Sequence, residues 1–107
     1  MIEIVFYTTG NGRVPFLAWL DGLDKISRSI VKMRLDHIRI GNFGDSKPIK
    51  GGVGLWELRL HYGAGYRIYF GKKGARIVVL LVGGNKGSQA RDIDKAKGYW
   101  IACKELL

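Results

Sequence analysis

The stretch Trp56-Glu57-Leu58-Arg59-Leu60-His61-Tyr62-Gly63-Ala64-Gly65-Tyr66-Arg67-Ile68-Tyr69-Phe70 carries the clearest structural signal in the chain. From Trp56 to His61 the apolar residues hold one phase and Glu57, Arg59 and His61 hold the other, the period-2 pattern of a half-buried strand. After the Gly63-Ala64-Gly65 turn the alternation returns, with Tyr66, Ile68 and Phe70 set against Arg67 and Tyr69. Paired as a hairpin, the two runs give one side to a core and the other to Glu57, Arg59, His61, Arg67 and Tyr69. Planar guanidinium forks match phosphate oxygens, so two arginines beside a carboxylate, an imidazole and a phenol suit phosphate chemistry. The same alternation also describes a solvated sheet face on which Glu57 neutralises an arginine across the strands.

The flanking segments place this hairpin in a domain of helices and sheet. Residues 2–7 are β-branched and aromatic apart from Glu3, and they end at the Thr8-Thr9-Gly10-Asn11-Gly12 turn cluster, which predicts a first strand. The missing N–H of Pro15 is harmless only in a first turn, and the spacing of Phe16, Leu17, Leu20 and Leu23 predicts a short helix over 15–21. Asp24 is the expected N-cap of a longer helix, with Ile26, Ile30, Val31, Met33, Leu35 and Ile38 in one broad apolar stripe. Arg28, Lys32 and Arg39 lie opposite, and Gly41-Asn42 ends the helix. Segment 43–54, which carries Lys47 and Lys50, is expected to be a loop. The run from Arg76 to Val82 predicts a strand covered on both faces at the centre of the sheet. Gly83-Gly84-Asn85-Lys86-Gly87 breaks it, and Ser88 is the expected N-cap of a last helix with Ile93, Ala96, Trp100 and Ile101 on its apolar face. The predicted fold class is α+β: a single domain over residues 1–107 with a mostly antiparallel sheet, an N-terminal helical pair and a C-terminal helix.

Composition narrows the function. The chain of 107 residues is 47% hydrophobic, enough for one core. A formal net charge of +9, from 18 Lys and Arg against 9 Asp and Glu, points to nucleic acid, the ribosome or an acidic protein as partner. The single cysteine, Cys103, cannot form an internal disulfide, so a reducing cytoplasm is the expected setting. The N-terminus lacks the basic flank and cleavage site of an export signal, and the apolar run from Ile77 to Val82 is too short for a bilayer, so no membrane partner is expected. One Cys and two His make no metal-ligand set, and no metal or cofactor is expected. His37 reads as a boundary residue of the long helix, and Trp19, Trp56 and Trp100 sit at core phases of their elements.

Cleavage of RNA through its own 2′-hydroxyl needs a base, cationic groups on the developing phosphorane and an acid for the leaving oxygen. Arg59, Arg67 and Lys86 fit the second task. Glu57, His61 and Tyr69 are candidates for proton transfer, and the general base stays open among them. Lys86 enters through the Gly-rich break, which lacks the Gly-x-x-x-x-Gly-Lys-[Ser/Thr] spacing of a P-loop. A helix start with free N–H groups beside Lys86 is nonetheless an anion site at the sheet end where the arginines lie. A flexible turn with an exposed lysine is the plainer alternative.

Several pieces in order, Pro48-Ile49-Lys50-Gly51, Leu55-Trp56-Glu57-Leu58-Arg59, Gly65-Tyr66-Arg67-Ile68-Tyr69, Leu80 to Gln89 and Asp92-Ile93 followed by Ala96, resemble the RelE/ParE toxin superfamily. The pattern is most similar to the HigB-like, phage Gp49-like branch often labelled addiction module killer protein, and it spans essentially the whole chain. The resemblance implies the toxin of a type II toxin–antitoxin pair: an RNA endonuclease that cuts mRNA on the ribosome without a metal and is held inactive by a cognate antitoxin, expected to be a helix-turn-helix protein. It implies catalytic roles for Arg59, Arg67 and Lys86, with Glu57 and Gln89 part of this branch's own pattern; Glu57 and His61 join the catalytic candidates, and Lys50, Tyr69 and Gln89 are the expected RNA contacts. His61 has no counterpart in the family pattern, and the last helix lacks the tyrosine that RelE uses for proton transfer unless Tyr99 replaces it. The ParE side implies the same fold with DNA gyrase as target, and a non-catalytic RNA- or protein-binding module is a third expectation. Arg67→Ala is expected to abolish growth inhibition with the fold intact, because Arg67 sits on the solvent phase of its strand.

Overall fold

The computed structural model describes all 107 residues. In chain order the elements are β1 (Glu3–Phe6), α1 (Pro15–Asp21), α2 (Lys25–Arg39), β2 (Ser46–Pro48), β3 (Leu55–Arg59), β4 (Arg67–Lys73), β5 (Ile77–Gly84) and α3 (Gln89–Cys103), with 3-10 turns at Lys86–Ser88 and Lys104–Leu106. The predicted hairpin forms: β3 and β4 pair antiparallel with Glu57 opposite Tyr69 and Arg59 opposite Arg67. The two N-terminal helices also start as predicted, α1 with Pro15 in its first turn and α2 with the Asp24 carboxylate accepting from the Ser27 N–H.

The strands lie in the order β1-β5-β4-β3-β2. Most neighbours are antiparallel, but β1 runs parallel to β5, so the sheet is mixed. β5 is buried on both faces as its apolar run predicts, yet β4 holds the middle position because β1 joins the far side of β5. Segment 43–54 is not all loop, since Ser46–Pro48 pairs with β3 and sets Lys47 opposite Glu57. Three residues ending in proline offer too little alternation to announce a strand, and a proline is acceptable there because β2 is an edge.

The helices divide between the two faces of the sheet rather than sharing one. α1 and α2 cover a core built on Phe16, Leu20, Val31, Leu35 and Ile38, which meets Leu58, Leu60, Ile68 and Phe70. α1 rests mainly on β5 and touches α2 little, so the two are not a tightly packed helical hairpin. α3 covers the other face, where Ala96, Trp100 and Cys103 meet Leu55, Tyr69, Val79 and Leu81. The stripe expected on α2 is in fact two stripes: Ser27, Val31, Leu35 and Ile38 are buried, whereas Ile26 and Met33 stand in solvent.

Glycines in the strands let the helices approach. A Cβ on Gly71 of β4 would fall inside the Trp100 ring, one on Gly83 inside the Trp19 ring, and one on Gly84 against the Asp92 carboxylate. Gly83 and Gly84 therefore belong to β5 instead of breaking it, and their lack of a side chain is a packing requirement. Trp100 is fixed further by its Nε1–H, which donates to the Val53 carbonyl at 2.8 Å.

Gly71→Ala forces this ring off the sheet and is expected to destabilise by about 1–3 kcal/mol, as overpacking does. In urea denaturation, adding Gly71→Ala to a Trp100→Leu background should be markedly less destabilising than in the native sequence.

Candidate nucleic-acid interface

Most of the polar phase of the hairpin does not face open water, because α3 lies across it, and only His61 and part of Arg59 remain exposed. Glu57 is 3% exposed, Arg67 8% and Tyr69 fully buried. This corrects the solvated-face expectation and the premise that Arg67→Ala would leave the fold intact. The sequence pattern reports which residues share a side but not what covers that side.

Glu57 organises the cluster. Its Oε1 accepts from Arg59 Nε at 2.8 Å, and its Oε2 accepts from Gln89 Nε2 at 2.9 Å, with Arg67 Nε 3.7 Å away. Burial pushes the Glu57 carboxyl up, but the Arg59 and Gln89 hydrogen bonds and the Arg59 charge outweigh it and hold the carboxyl below the usual glutamate value. The hydrogen bond that Arg59 donates to Glu57, and the charge of that carboxylate, in turn hold Arg59 more firmly protonated. Two arginines directly opposite on adjacent strands would repel, and the carboxylate between them offsets that repulsion. Arg59 spends only Nε on Glu57, which leaves its two terminal amino groups without a protein partner on a side chain that lines the groove described below. Arg67 donates from Nη1 to the Gly65 carbonyl at 2.9 Å, and its buried Nε has no hydrogen-bond partner.

The three proton-transfer candidates are separated by environment. Glu57 is saturated with donors and acidic, so it is a poor base. The Tyr69 hydroxyl is buried without a hydrogen-bond partner, and burial with the Glu57 charge raises its pKa, so it holds its proton. His61 is exposed, and its Nε2 lies 2.6 Å from Asp45 Oδ2 in the turn before β2. That hydrogen bond lowers the Asp45 carboxyl, which also feels Lys47 and Arg59. Tyr99 is no substitute: it stacks on Tyr7 at the β1 edge, across the sheet from Arg59.

Lys86 is brought to the cluster as expected, since its backbone lies against Ala64 and Gly65 of the hairpin tip, beside Arg67 Nη1. Ser88 stands at the N-cap position of α3 as expected, but its side chain makes no cap bond to that helix. The capping box belongs to the 3-10 turn before it, where Asn85 accepts from the Ser88 N–H and Ser88 Oγ accepts from the Asn85 N–H, so the Ser88 N–H is not among the free groups of the predicted anion site. Ser88 Oγ also donates to the buried Asp92 carboxylate, which ties α3 to the Gly84 end of β5.

A groove of about 360 Å³ runs from this cluster between β2 and α3. Lys47 and Lys50 line one side, Gln89, Ile93 and Lys97 the other, and Glu57 with Arg59 lies at its inner end. Lys97 was missed by the sequence reading, although its i, i+4, i+8 relation to Ile93 and Gln89 put it on that helix face. Lys47 and Asp45 became visible only with the β2 pairing.

Fold and face together define a small basic α+β protein in which Arg59 lines a groove with three lysines and Arg67 lies buried opposite it on β4. Residues 18–98 match the family model described as phage derived protein Gp49-like (DUF891), and the chain belongs to that family. The matched span contains every residue of the face described above. An uncharacterized protein of Haemophilus influenzae is 37% identical over 85 residues, covering 78% of this chain and 84% of that protein. No helix is long and apolar enough to cross a membrane.

Replacing Glu57 leaves two arginines opposed and one of them buried. Glu57→Gln is expected to lower stability at neutral pH by about 3 kcal/mol, the lower end for a buried pair because Arg59 is partly solvated. The folded-state pKa of Glu57 lies below the unfolded value, so its contribution is complete above pH 4.5 and is lost as pH falls through the folded pKa. Thermal melts from pH 7 to pH 3 should therefore fall less steeply for Glu57→Gln than for the native chain.

Proposed function

We propose that the protein is the toxin of a type II toxin–antitoxin pair with the RelE/ParE-type fold, and that it acts as an mRNA endonuclease on the ribosome in the cytoplasm. Membership in the Gp49-like family is consistent with the toxin role and with a cognate antitoxin partner of helix-turn-helix type. One observation carries the nuclease reading: Arg59 and Arg67 are set opposite each other by Glu57, and the free edge of Arg59 opens on a groove with lysines on both sides. A polyanion laid in that groove meets Lys97, Lys50 and Lys47 together with Arg59. Releasing counterions there supplies sequence-tolerant affinity.

In this reading the 2′-hydroxyl loses its proton and attacks the adjacent phosphorus, the charge of the phosphorane falls on Arg59, Arg67 and Lys86, and the P–O5′ bond then breaks, leaving a 2′,3′-cyclic phosphate on one fragment and a protonated 5′-hydroxyl on the other. No metal is required for that stabilisation, because the cations are side chains. His61, oriented by Asp45 and open to solvent, takes the proton-transfer role that Glu57 and Tyr69 cannot fill. Gln89 and Tyr69 act by holding Glu57 and filling the floor of the face, so they touch RNA less than their place in the family pattern implies.

The saturated state of Glu57 also fits a face that binds without cutting, as in a ParE-like gyrase inhibitor or a plain RNA- or protein-binding module. Mapping new RNA 5′ ends after induction separates these. Cuts within translated frames are expected, and Arg59→Ala, at a partly exposed position, should reduce them by roughly a hundredfold while the protein stays folded. Growth arrest with intact messages and altered DNA supercoiling would replace the nuclease by the gyrase reading.

A further inference from the structure

Lys72 of β4 is the one cation of the chain that lies between aromatic faces. Its Nζ sits 3.8 Å from the centroid of the Phe43 ring and 4.0 Å from that of Trp56. Both rings are held in place: Phe43 stacks on Phe70 at 5.8 Å, and Trp56 stands on β3 directly opposite Phe70. None of the ion pairs of the molecule reaches Lys72, so no carboxylate offsets its charge. Lys73, one residue on, instead donates to the Lys104 carbonyl at 2.8 Å. Lys72 is also the only charged residue lining a small hollow of about 160 Å³, whose walls include Ile2, Phe43, Ala75, Ile77 and Val78.

Two opposed influences act on this amine. Burial draws the Lys72 ammonium below the usual lysine value. A lysine desolvated in an apolar setting keeps more of the free amine that attacks carbonyl carbon. The two ring faces, by contrast, favour a cation over a neutral group. Acylation would remove the charge that the rings favour, and a carbamate would set an anion against their negative faces. Condensation with an aldehyde does neither. The nitrogen lone pair bonds to the carbonyl carbon, two of the three ammonium hydrogens leave with the carbonyl oxygen as water, and the positive charge stays on nitrogen as an iminium. That cation has one N–H where the ammonium had three, so it loses less hydration between the rings. The apolar walls offer few partners to the water that would reverse the step. A hollow well below the ~300 Å³ of a drug-sized site limits the aldehyde to a few carbons, and the same walls disfavour a charged one.

We propose that Lys72 is a Schiff-base lysine, whose amine, held between Phe43 and Trp56 at the apolar hollow, condenses reversibly with small uncharged aldehydes. Its clamp belongs to the side of the sheet covered by α1 and α2, away from Glu57 and the lysine groove, so its chemistry is independent of RNA cleavage.

The test treats the full chain with propanal and sodium cyanoborohydride, which delivers hydride to the iminium carbon and fixes the adduct as a propyl amine. Peptide mass spectrometry at low conversion then gives a rate for each lysine. Lys72 is expected to be modified roughly tenfold or more faster than the exposed Lys47 and Lys50, as a desolvated amine is. Phe43→Leu and Trp56→Leu each keep apolar bulk while removing one ring, and each should cut that advantage severalfold in protein that circular dichroism shows to be folded. Glyoxylate, an aldehyde carrying a carboxylate, should modify the native chain without preference for Lys72. Modification of Lys72 by propanal no faster than of Lys47 and Lys50 would overturn the proposal. So would an advantage that survives in both folded variants, since the clamp would then play no part. An equal preference for Lys72 with glyoxylate would overturn it too, because the hollow would not be selecting an uncharged partner.

Discussion

The carboxylate of Glu57 is the constraint on which the functional half of the molecule depends. It is almost wholly buried, yet it stays ionised because Arg59 and Gln89 donate to it and Arg67 stands nearby. A buried charge is tolerable only with such partners. Each partner comes from a different element: Arg59 from β3 itself, Arg67 from β4 and Gln89 from the first turn of α3. One acid thus fixes the register of a hairpin and the seating of a helix at the same time. The unpaired fork of Arg59 is a by-product of that geometry, since the nitrogen nearest the chain is used on Glu57 and the terminal ones are not.

Close approach of helices to the sheet is the second condition. Trp100 and Trp19 each lie over a strand glycine, one on each face, and Asp92 occupies the space above Gly84. α3 can then come low enough for Gln89 to reach Glu57 and for Trp100 to reach the Val53 carbonyl. The groove that results is narrow because the helix is near, and its lysines line both walls because β2 and α3 each contribute them. Electrostatics and packing are therefore not separable here: the tryptophans set the distance at which the charges act.

Much of this was legible in the residues, for identifiable reasons. Period-2 alternation located β3 and β4, Pro15 and Asp24 marked two helix starts, and the polar phase of the hairpin gathered Glu57, Arg59, Arg67 and Tyr69 correctly. What alternation lacks is information about the layer above it. It could not say that α3 would bury Arg67, that Asp45 would meet His61 across a turn, or that three residues ending in Pro48 would extend the sheet. The Gly83-Gly84 pair misled because glycine marks a turn when nothing packs on it and a strand when an indole or a carboxylate does. The stripe on α2 misled in the opposite direction: its width looked like one deep core face, although a helix can bury only part of its circumference in one sheet.

The parallel pairing of β1 with β5 has a consequence for how the chain comes into being. Glu3 is aligned with Ile77, so β1 has its only sheet neighbour far along the chain, in β5. Contacts of such wide sequence separation close late and slowly, because the loop between them must be ordered first. Until β5 emerges, β1, α1 and the middle strands lack the element that joins them, and the last helix follows only after it. Before β5 and α3 are in place, Arg59 and Arg67 lack the sheet partner and helix that hold them. The topology thus assembles the arginine face last.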